Sequence, residues 1–144
     1  MVKKKLGIAC FAVQLLTSPL KASDTNEKLH LDCTASSSPT TVIRSCTALL
    51  KDDDDPDTVE IYTLRRAYAY AETNQVERAI RDYTAVLKLN PRIEALFGRG
   101  DIYFKTRNYE RAIADYRSII ERAPFKSVRK VAQERLDKTL AAQK

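Results

Sequence analysis

Most of the chain after residue 40 has apolar residues at three- and four-residue steps, the spacing that is typical of amphipathic helices. The clearest stripe has six members on one helical face: Val76, Ala79, Ile80, Tyr83, Val86 and Leu87. Turn residues and prolines separate each stripe from the next. We therefore predict an all-α fold with six helices, at about 40–51, 58–73, 76–90, 93–106, 109–123 and 127–142.

One stretch of this pattern is duplicated. Glu77–Tyr83 recurs with a period of 33 as Glu110–Tyr116, and each copy is followed at the same distance by a proline. The segments 60–91 and 93–124, which end at these prolines, share ten identities. A fixed period of this length is the mark of a helical repeat array. Within the stretch we expect the alanine and tyrosine to pack between helices and Arg78 and Asp82 to be mostly solvated. The two full repeats are placed at about 60–92 and 93–125.

The helix predicted near residue 40 fits the same scheme. Its apolar residues have the spacing of the stripe that begins at Ala79 in the second helix of a repeat: Val42, Ile43, Cys46, Leu49 and Leu50. The acidic segment Asp52–Asp55 opposes the helix macrodipole and Pro56 opposes continuation, so the helix should end there. Asp57 and Glu60 have the spacing of a capping box for the next helix. The predicted order is half a repeat, two full repeats and a capping helix at 127–142, within a helical domain over 40–144.

The segment before residue 40 lacks this pattern. Residues 1–22 contain a basic run, Lys3–Lys5, then an uncharged and mostly apolar run, Leu6–Leu20, then a small-residue end, which is the order of a secretory signal peptide. An uncleaved anchor is the weaker interpretation, because roughly 20 apolar residues are needed to span a bilayer. A lipoprotein attached at Cys10 is weaker still. We predict a periplasmic or secreted protein, cleaved after Ala22, with an irregular polar lead-in over 23–39.

The charge of the chain is uneven. Removal of residues 1–22 would lower the net charge from +6 to +2, because this segment carries four lysines and no acid. Residues 23–60 carry three basic and nine acidic side chains, whereas residues 61–144 carry 18 basic and ten acidic side chains. Such asymmetry can steer an acidic partner or an anionic surface to the second half, but two solvated helix faces are the simpler interpretation. The basic residues alternate with acids, which argues against nucleic-acid binding.

The cysteines bear on compartment and chemistry. Export would leave Cys33 and Cys46 as a pair in an oxidising environment, and we predict a disulfide between them. Two free buried thiols are the alternative. These cysteines and His30, the single histidine, cannot supply a usual four-ligand zinc site. The acidic residues 52–57 lack the central glycine and terminal glutamate of a twelve-residue calcium loop. No metal and no cofactor are therefore predicted.

The duplicated unit resembles the tetratricopeptide repeat (TPR), a family of helix pairs with small, aromatic and proline residues at fixed positions. The matching residues are Ala67, Tyr70, Ala79, Tyr83 and Pro91 in one copy, and Gly100, Tyr103, Ala112, Tyr116 and Pro124 in the other. Thr63 and Leu96 stand where the family usually has an aromatic residue, and Arg66 and Arg99 replace its usual leucine. The resemblance implies a right-handed α-α superhelix of helix hairpins. The signal-like start and the cysteine in the first predicted helix also resemble small exported bacterial TPR proteins.

The resemblance also implies a binding surface, because in this family the first helix of each pair lines a concave groove. By helical phase this groove would carry Leu64, Arg65, Tyr68, Glu72, Phe97, Asp101, Phe104 and Lys105, with Ile61 beside them. Such a mixture of aromatic and charged residues suits an extended peptide or a partner helix. Leu64, Phe97 and Phe104 are alternatively core or cap contacts. The lysine and asparagine pattern of TPR domains that bind C-terminal carboxylates is missing here.

No motif points to catalysis. The sequence has no glycine-rich phosphate loop, no nucleophile elbow and no paired metal-ligand motif. We predict a non-enzymatic adaptor or scaffold that binds a protein or peptide partner in the bacterial cell envelope, without nucleic acid and without stable membrane insertion after cleavage. The alternative is a self-associating structural subunit, because arrays of this kind usually need about three repeats. The disulfide and the closing helix are expected to stabilise the two ends.

Overall fold

The computed structural model describes residues 22–144, with side chains from residue 25 onward. These residues form seven helices and no strand: α1 (Ala22–Ala35), α2 (Pro39–Leu49), α3 (Pro56–Glu72), α4 (Val76–Leu89), α5 (Ile93–Lys105), α6 (Tyr109–Arg122) and α7 (Lys126–Ala142). Helix α1 packs against α2, α3 against α4 and α5 against α6, and α7 closes the array on α6. The predicted all-α repeat fold is confirmed.

The N-terminal segment is only partly covered. The signal peptide predicted over 1–22 lies outside the described residues, apart from the backbone of Ala22. Within residues 22–144, each helix is either too short or too polar to cross a membrane.

Helix α1 is the helix that the apolar pattern of the sequence does not predict. The prediction of an irregular lead-in over 23–39 is wrong for residues 23–35, which are helical. This helix has almost no apolar stripe, because Cys33 and the partly buried Leu29 are its described contributors to the core. Packing on α2 and α3 holds α1 in place, which is a tertiary effect that periodicity does not report. The array therefore begins with a helix pair and not with half a repeat.

The two cysteines join this first pair. The sulfur atoms of Cys33 in α1 and Cys46 in α2 are 2.09 Å apart, and both side chains are fully buried. This is the predicted disulfide. Two further bonds reach α3: Nδ1 of His30 lies 2.9 Å from the Tyr62 hydroxyl, and Nε of Arg65 donates to the Cys33 carbonyl at 3.3 Å. Helix α1 is thus fastened to both of its neighbours.

The start of α3 also differs from the prediction. Asp55 is the N-cap, and its carboxylate accepts a hydrogen bond from a backbone amide in the first turn at 3.0 Å. Pro56 takes the first helical position, where a missing N–H breaks no helical bond. The predicted capping box of Asp57 and Glu60 is wrong. Glu60 is instead buried and forms an ion pair with Arg92, just before α5.

The ends of the other helices follow the predicted turns. Asn74 and Arg107 lie between the helices of the two full repeats, and both have positive φ angles, 57° and 60°. Pro91 and Pro124 follow shortly after the ends of α4 and α6 and are exposed. The small and aromatic repeat residues are buried: Ala67, Tyr70, Ala79, Tyr83, Gly100, Tyr103, Ala112 and Tyr116.

The arginines that replace the family's leucine are partners in buried ion pairs. Nε of Arg66 lies 2.7 Å from Oδ2 of Asp82, and its Nη1 donates to Oγ1 of Thr47 in the preceding helix pair at 3.2 Å. The expectation that Asp82 is solvated is therefore wrong. Burial alone would lower the pKa of Arg66, but its hydrogen bond to Asp82 and the Asp82 charge raise the pKa overall.

The second full repeat reproduces the same contacts. Nη2 of Arg99 lies 2.7 Å from Oδ1 of Asp115, and its Nη1 donates to Thr84 at 3.0 Å. The Asp115 hydrogen bond raises the pKa of Arg99. Each arginine also lies near the ring of a tyrosine of its own helix, with centroid distances of 5.8 Å to Tyr70 and 5.9 Å to Tyr103. The packing between adjacent repeats is thus polar as well as apolar.

Candidate partner-binding face

The candidate site is one face of α3 and α5, the first helices of the two full repeats, together with the equivalent positions of α7. We call it the first-helix face, and its members are Ile61, Arg65, Tyr68, Glu72, Glu94, Gly98, Asp101, Lys105, Val131, Glu134 and Lys138. On α3 they follow one another at three- and four-residue steps, which places them on one side of the helix. The positions on α5 and α7 repeat those of α3 at the period of 33. The face combines exposed apolar side chains with charges of both signs.

Tyr68 is at the centre of this face. It is 38% exposed, and its hydroxyl donates to the Glu94 carbonyl at 3.3 Å, which links α3 to α5. Its ring meets the Tyr83 ring edge to face, with centroids 5.5 Å apart. Burial, and then the charges of Glu94 and Asp101, raise the pKa of Tyr68, so the phenol stays protonated as a donor. One side of the ring remains open to a partner.

Gly98 lets the Tyr83 ring reach the floor of this face. A Cβ atom on Gly98 would lie 2.7 Å from Cε1 of Tyr83, closer than such atoms approach in proteins. Tyr83 itself is almost fully buried beneath the glycine. At Gly98 the first-helix face therefore has no side chain of its own, and the Tyr83 ring lies directly beneath the glycine. Tyr68 packs beside this position, against the same ring.

Three predicted groove residues lie mainly between helices. Leu64 is partly buried against the core of the first full repeat, and Phe97 and Phe104 are partly buried against the core of the second. Leu64 and Phe97 are therefore described better as core contacts, the alternative to a groove role, than as groove residues. Phe104 has a double role, because its ring packs on that core and also lines a cavity described below.

The remaining predicted groove residues differ in whether their side chains are already bound within the protein. Arg65 is half-buried and bound to the Cys33 carbonyl, so its geometry is fixed by α1. Glu72 and Lys105 are exposed at equivalent positions near the ends of α3 and α5. They can contact a partner without losing an interaction within the described residues.

Asp101 connects all three helices of the C-terminal part. Its carboxylate accepts a hydrogen bond from the Tyr116 hydroxyl at 2.7 Å and forms an ion pair with Arg135 of α7. Burial and the Asp101 bond raise the pKa of Tyr116. The guanidinium of Arg135 also lies over the Phe97 ring, 4.9 Å from its centroid. The charge of Asp101 is therefore compensated inside the protein.

A cavity of about 340 Å³ opens next to this network. Its lining residues are Asp101, Phe104, Lys105, Tyr116, Arg135 and Lys138. The ammonium of Lys138 lies 5.2 Å from the centroid of the Phe104 ring, a distance at which the cation and the ring attract each other. The cavity thus has one aromatic wall and three cationic groups.

Sequence reasoning missed the contribution of α7 to the site. The sequence predicts α7 only as a capping helix, and the predicted groove residues do not include Arg135 or Lys138. The repeat period could have indicated this contribution. Positions 72, 105 and 138 are separated by 33 residues, so Glu72, Lys105 and Lys138 take equivalent positions on α3, α5 and α7. Extending the repeat register into α7 would have added Lys138.

A second cavity, of about 820 Å³, lies between α1, α2 and the start of α3. Its apolar part includes Leu29, Leu49 and Tyr62, and its rim carries Glu27 and the aspartates that begin at Asp52. Burial, followed by the charges of Asp53 and Asp55, raises the pKa of Tyr62. His30 is exposed, and its Nδ1 lies within hydrogen-bond distance of the Tyr62 hydroxyl.

Comparison with known proteins agrees with this geometry. Residues 64–127 match a family model described as tetratricopeptide repeat. The match covers α4, α5 and α6 completely, the second half of α3, and the start of α7. Searches of curated proteins and of solved structures gave no significant match.

Proposed function

We propose, from the premise that residues 64–127 place this chain in the tetratricopeptide repeat family, that it is an exported, non-enzymatic adaptor of the bacterial cell envelope. Repeats of this family generally mediate protein–protein interactions, and stacked repeats present an extended surface for that purpose. The partner would lie along the first-helix face as an extended peptide or a helix. The observation that carries the proposal is the open, mixed composition of this face over three successive first helices.

The exposed residues on this face support a peptide-binding role. Ile61 is 45% exposed although it is a large aliphatic residue, and Tyr68 keeps one side of its ring accessible. Aromatic and aliphatic groups supply contact area in such interfaces, and neighbouring charges such as Glu72 and Lys105 set the register of the bound chain. The ion pairs of Arg66 and Arg99 lie behind this face and hold the helices in place.

Export is supported by two independent features. Residues 1–22 have the order of a signal peptide, and the disulfide of Cys33 and Cys46 fits an oxidising compartment. Mass spectrometry of the protein isolated from the periplasm should give a mature chain that begins near residue 23 and is lighter than the reduced chain by the mass of two hydrogen atoms, because of the disulfide. Retention of residues 1–22 in a soluble cytoplasmic protein would contradict the export part of the proposal.

Site-specific photo-crosslinking tests the binding face. A photoreactive residue is placed at Ile61 or Lys105 on the first-helix face, and at the exposed Arg81 or Arg117 on α4 and α6 as matched controls. Crosslinking in intact envelopes should give one specific product from the first two positions and not from the controls. Equal crosslinking from all four positions would refute the assignment of the face.

The alternative of self-association has less support at the C-terminal end. Helix α7 buries Ala132, Leu136 and Thr139, whereas its outer side carries Gln133 bonded to Asp137 at 2.8 Å, with Leu140 as the partly exposed apolar residue beside them. An outer side with mainly polar residues is typical of a capping helix and not of a stacking surface. Light scattering over a concentration series should therefore report a constant monomer mass. A mass that rises with concentration would favour the structural subunit.

A further inference from the structure

We infer that the cavity between α5 and α7 binds an acidic side chain of the partner, so that the bound segment carries glutamate or aspartate at this end of the first-helix face. The inference rests on the proposed function and adds the chemical class of the partner. It is carried by three observations: an uncompensated charge, an aromatic wall, and the position of the cavity on the face.

The charges around the cavity do not cancel. Arg135 and Asp101 form an ion pair, which leaves Lys105 and Lys138. Among the described residues, neither lysine forms an ion pair with an acidic side chain. Glu134, one turn before Lys138 on α7, does not line the cavity. Among residues 25–144, Asp101 is therefore the acidic residue that lines the cavity, and its charge is compensated by Arg135, so the two ammonium groups are left without an anionic partner.

The surroundings strengthen the attraction for a carboxylate. The Phe104 ring forms one wall and holds Lys138 at 5.2 Å from its centroid, which restricts the lysine without neutralising it. The Tyr116 hydroxyl is already committed to Asp101 as a donor. A partner carboxylate would therefore bind through the two ammonium groups. The cavity volume of about 340 Å³ accommodates a glutamate side chain with room for water.

The position of the cavity favours a peptide over a free anion. Lys105 and Lys138 belong to the first-helix face and continue the position of Glu72 on α3. A chain that lies along the apolar residues Ile61 and Tyr68 therefore reaches the cavity at its other end. The uneven charge of the protein, with 18 basic and ten acidic side chains over residues 61–144, attracts acidic segments to this half.

Titration with synthetic peptides, followed by amide NMR shifts of the mature protein, tests the inference. The probe is a hexapeptide with blocked termini, two glutamates and otherwise apolar residues, and its match has glutamines instead. We expect the glutamate peptide to shift amides of α5 and α7 and to bind several-fold more tightly than the glutamine peptide. Raising the salt concentration from about 50 to 500 mM should weaken it. Equal binding of both peptides, or binding indifferent to salt, would overturn the inference.

Charge reversal supplies the second arm. Lys105→Glu with Lys138→Glu should lose the glutamate peptide and gain a lysine peptide of the same design. The control, Lys88→Glu with Lys130→Glu, makes the same change of net charge at exposed positions outside the cavity and should leave binding within twofold. A similar loss in both variants would show a nonspecific field and overturn the site. If these peptide experiments fail while Ile61 still crosslinks a specific partner, the proposed function stands and only this inference falls.

Discussion

Asp115→Ala should be among the most damaging single substitutions at a polar residue of this protein. The carboxylate of Asp115 is 6% exposed and receives two hydrogen bonds from Arg99, at 2.7 and 3.0 Å. Removing it leaves the guanidinium of Arg99, which is 20% exposed, with Thr84 as its remaining hydrogen-bond partner. An uncompensated charge would then lie between α5 and α6.

The size of the effect follows from the burial of the pair. Breaking a buried ion pair by removing one partner costs about 3–5 kcal/mol. Water can reach one fifth of the Arg99 side chain, so we expect the lower end, about 3 kcal/mol. That is a large share of the roughly 5–15 kcal/mol that holds a domain together. With a urea m-value of about 1–3 kcal/mol/M, the unfolding midpoint should fall by at least about 1 M.

Urea unfolding followed by circular dichroism checks this value. Arg99→Met with Asp115→Ala removes both charges, and the double variant should lose less stability than either single variant, because no charge is left buried alone. Glu121→Ala, an exposed acid on α6, is the control and should change stability by less than about 0.5 kcal/mol. A cost below about 1 kcal/mol for Asp115→Ala, or a double variant as costly as the sum of the singles, would refute the reasoning.

Three further sets of substitutions test the rest of the fold. Replacing both cysteines of the disulfide by serine should lower the free energy of unfolding by roughly 3 kcal/mol. In the unsubstituted protein, alkylation of two thiols without prior reduction would show that the disulfide is absent. Gly98→Ala should cost about 1–3 kcal/mol because its Cβ meets Tyr83. Gly100→Ala should cost less, because its closest contact is 3.0 Å; thermal melts in the opposite order would contradict this. Asp55→Ala should lose about 1 kcal/mol of capping and Asp57→Ala clearly less, so equal melting temperatures would contradict the assigned cap.

The helices from α2 to α7 were predictable because one stripe of apolar residues specifies each of them. The same reasoning failed for α1, where Cys33 and Leu29 supply most of the core contact and no stripe exists. It also placed the cap of α3 too late in the chain, since Asp55 and Asp57 are equally good caps in isolation. The choice depends on Pro56, which fits the first helical position.

The buried ion pairs could have been found in the sequence. Four of the ten identities between the repeats are Arg66, Tyr70, Arg78 and Asp82 with their counterparts, and in the structure these four residues form one cluster. Charged residues that recur with the period while most surface residues change are candidates for contact. A repeat period reports which positions are equivalent, but it does not report which neighbour each one meets. Solvation was therefore the wrong expectation for Asp82.

The candidate site could also be predicted only in part from the sequence. Helical phase placed Tyr68, Glu72 and Lys105 on an exposed face. It could not separate Leu64 and Phe97, which are partly buried against the cores of the two repeats, from true surface residues. That separation depends on how closely α3, α5 and α7 approach one another.

The arginine pairs have a consequence for how the chain could grow. Each arginine holds an aspartate of its own repeat and reaches back to a threonine of the preceding helix pair, Thr47 or Thr84. Suppose that residues 60–92 were duplicated after residue 92. The arginine of the new copy, equivalent to Arg66, would then reach Thr84 of the original copy, and the threonine of the new copy would be available to Arg99. The unit is therefore self-compatible in tandem, and each insertion would lengthen the peptide-facing surface by one helix. At α7 the series stops, because Ala132 takes the arginine's position, so this array can be extended from within but not from its C-terminal end.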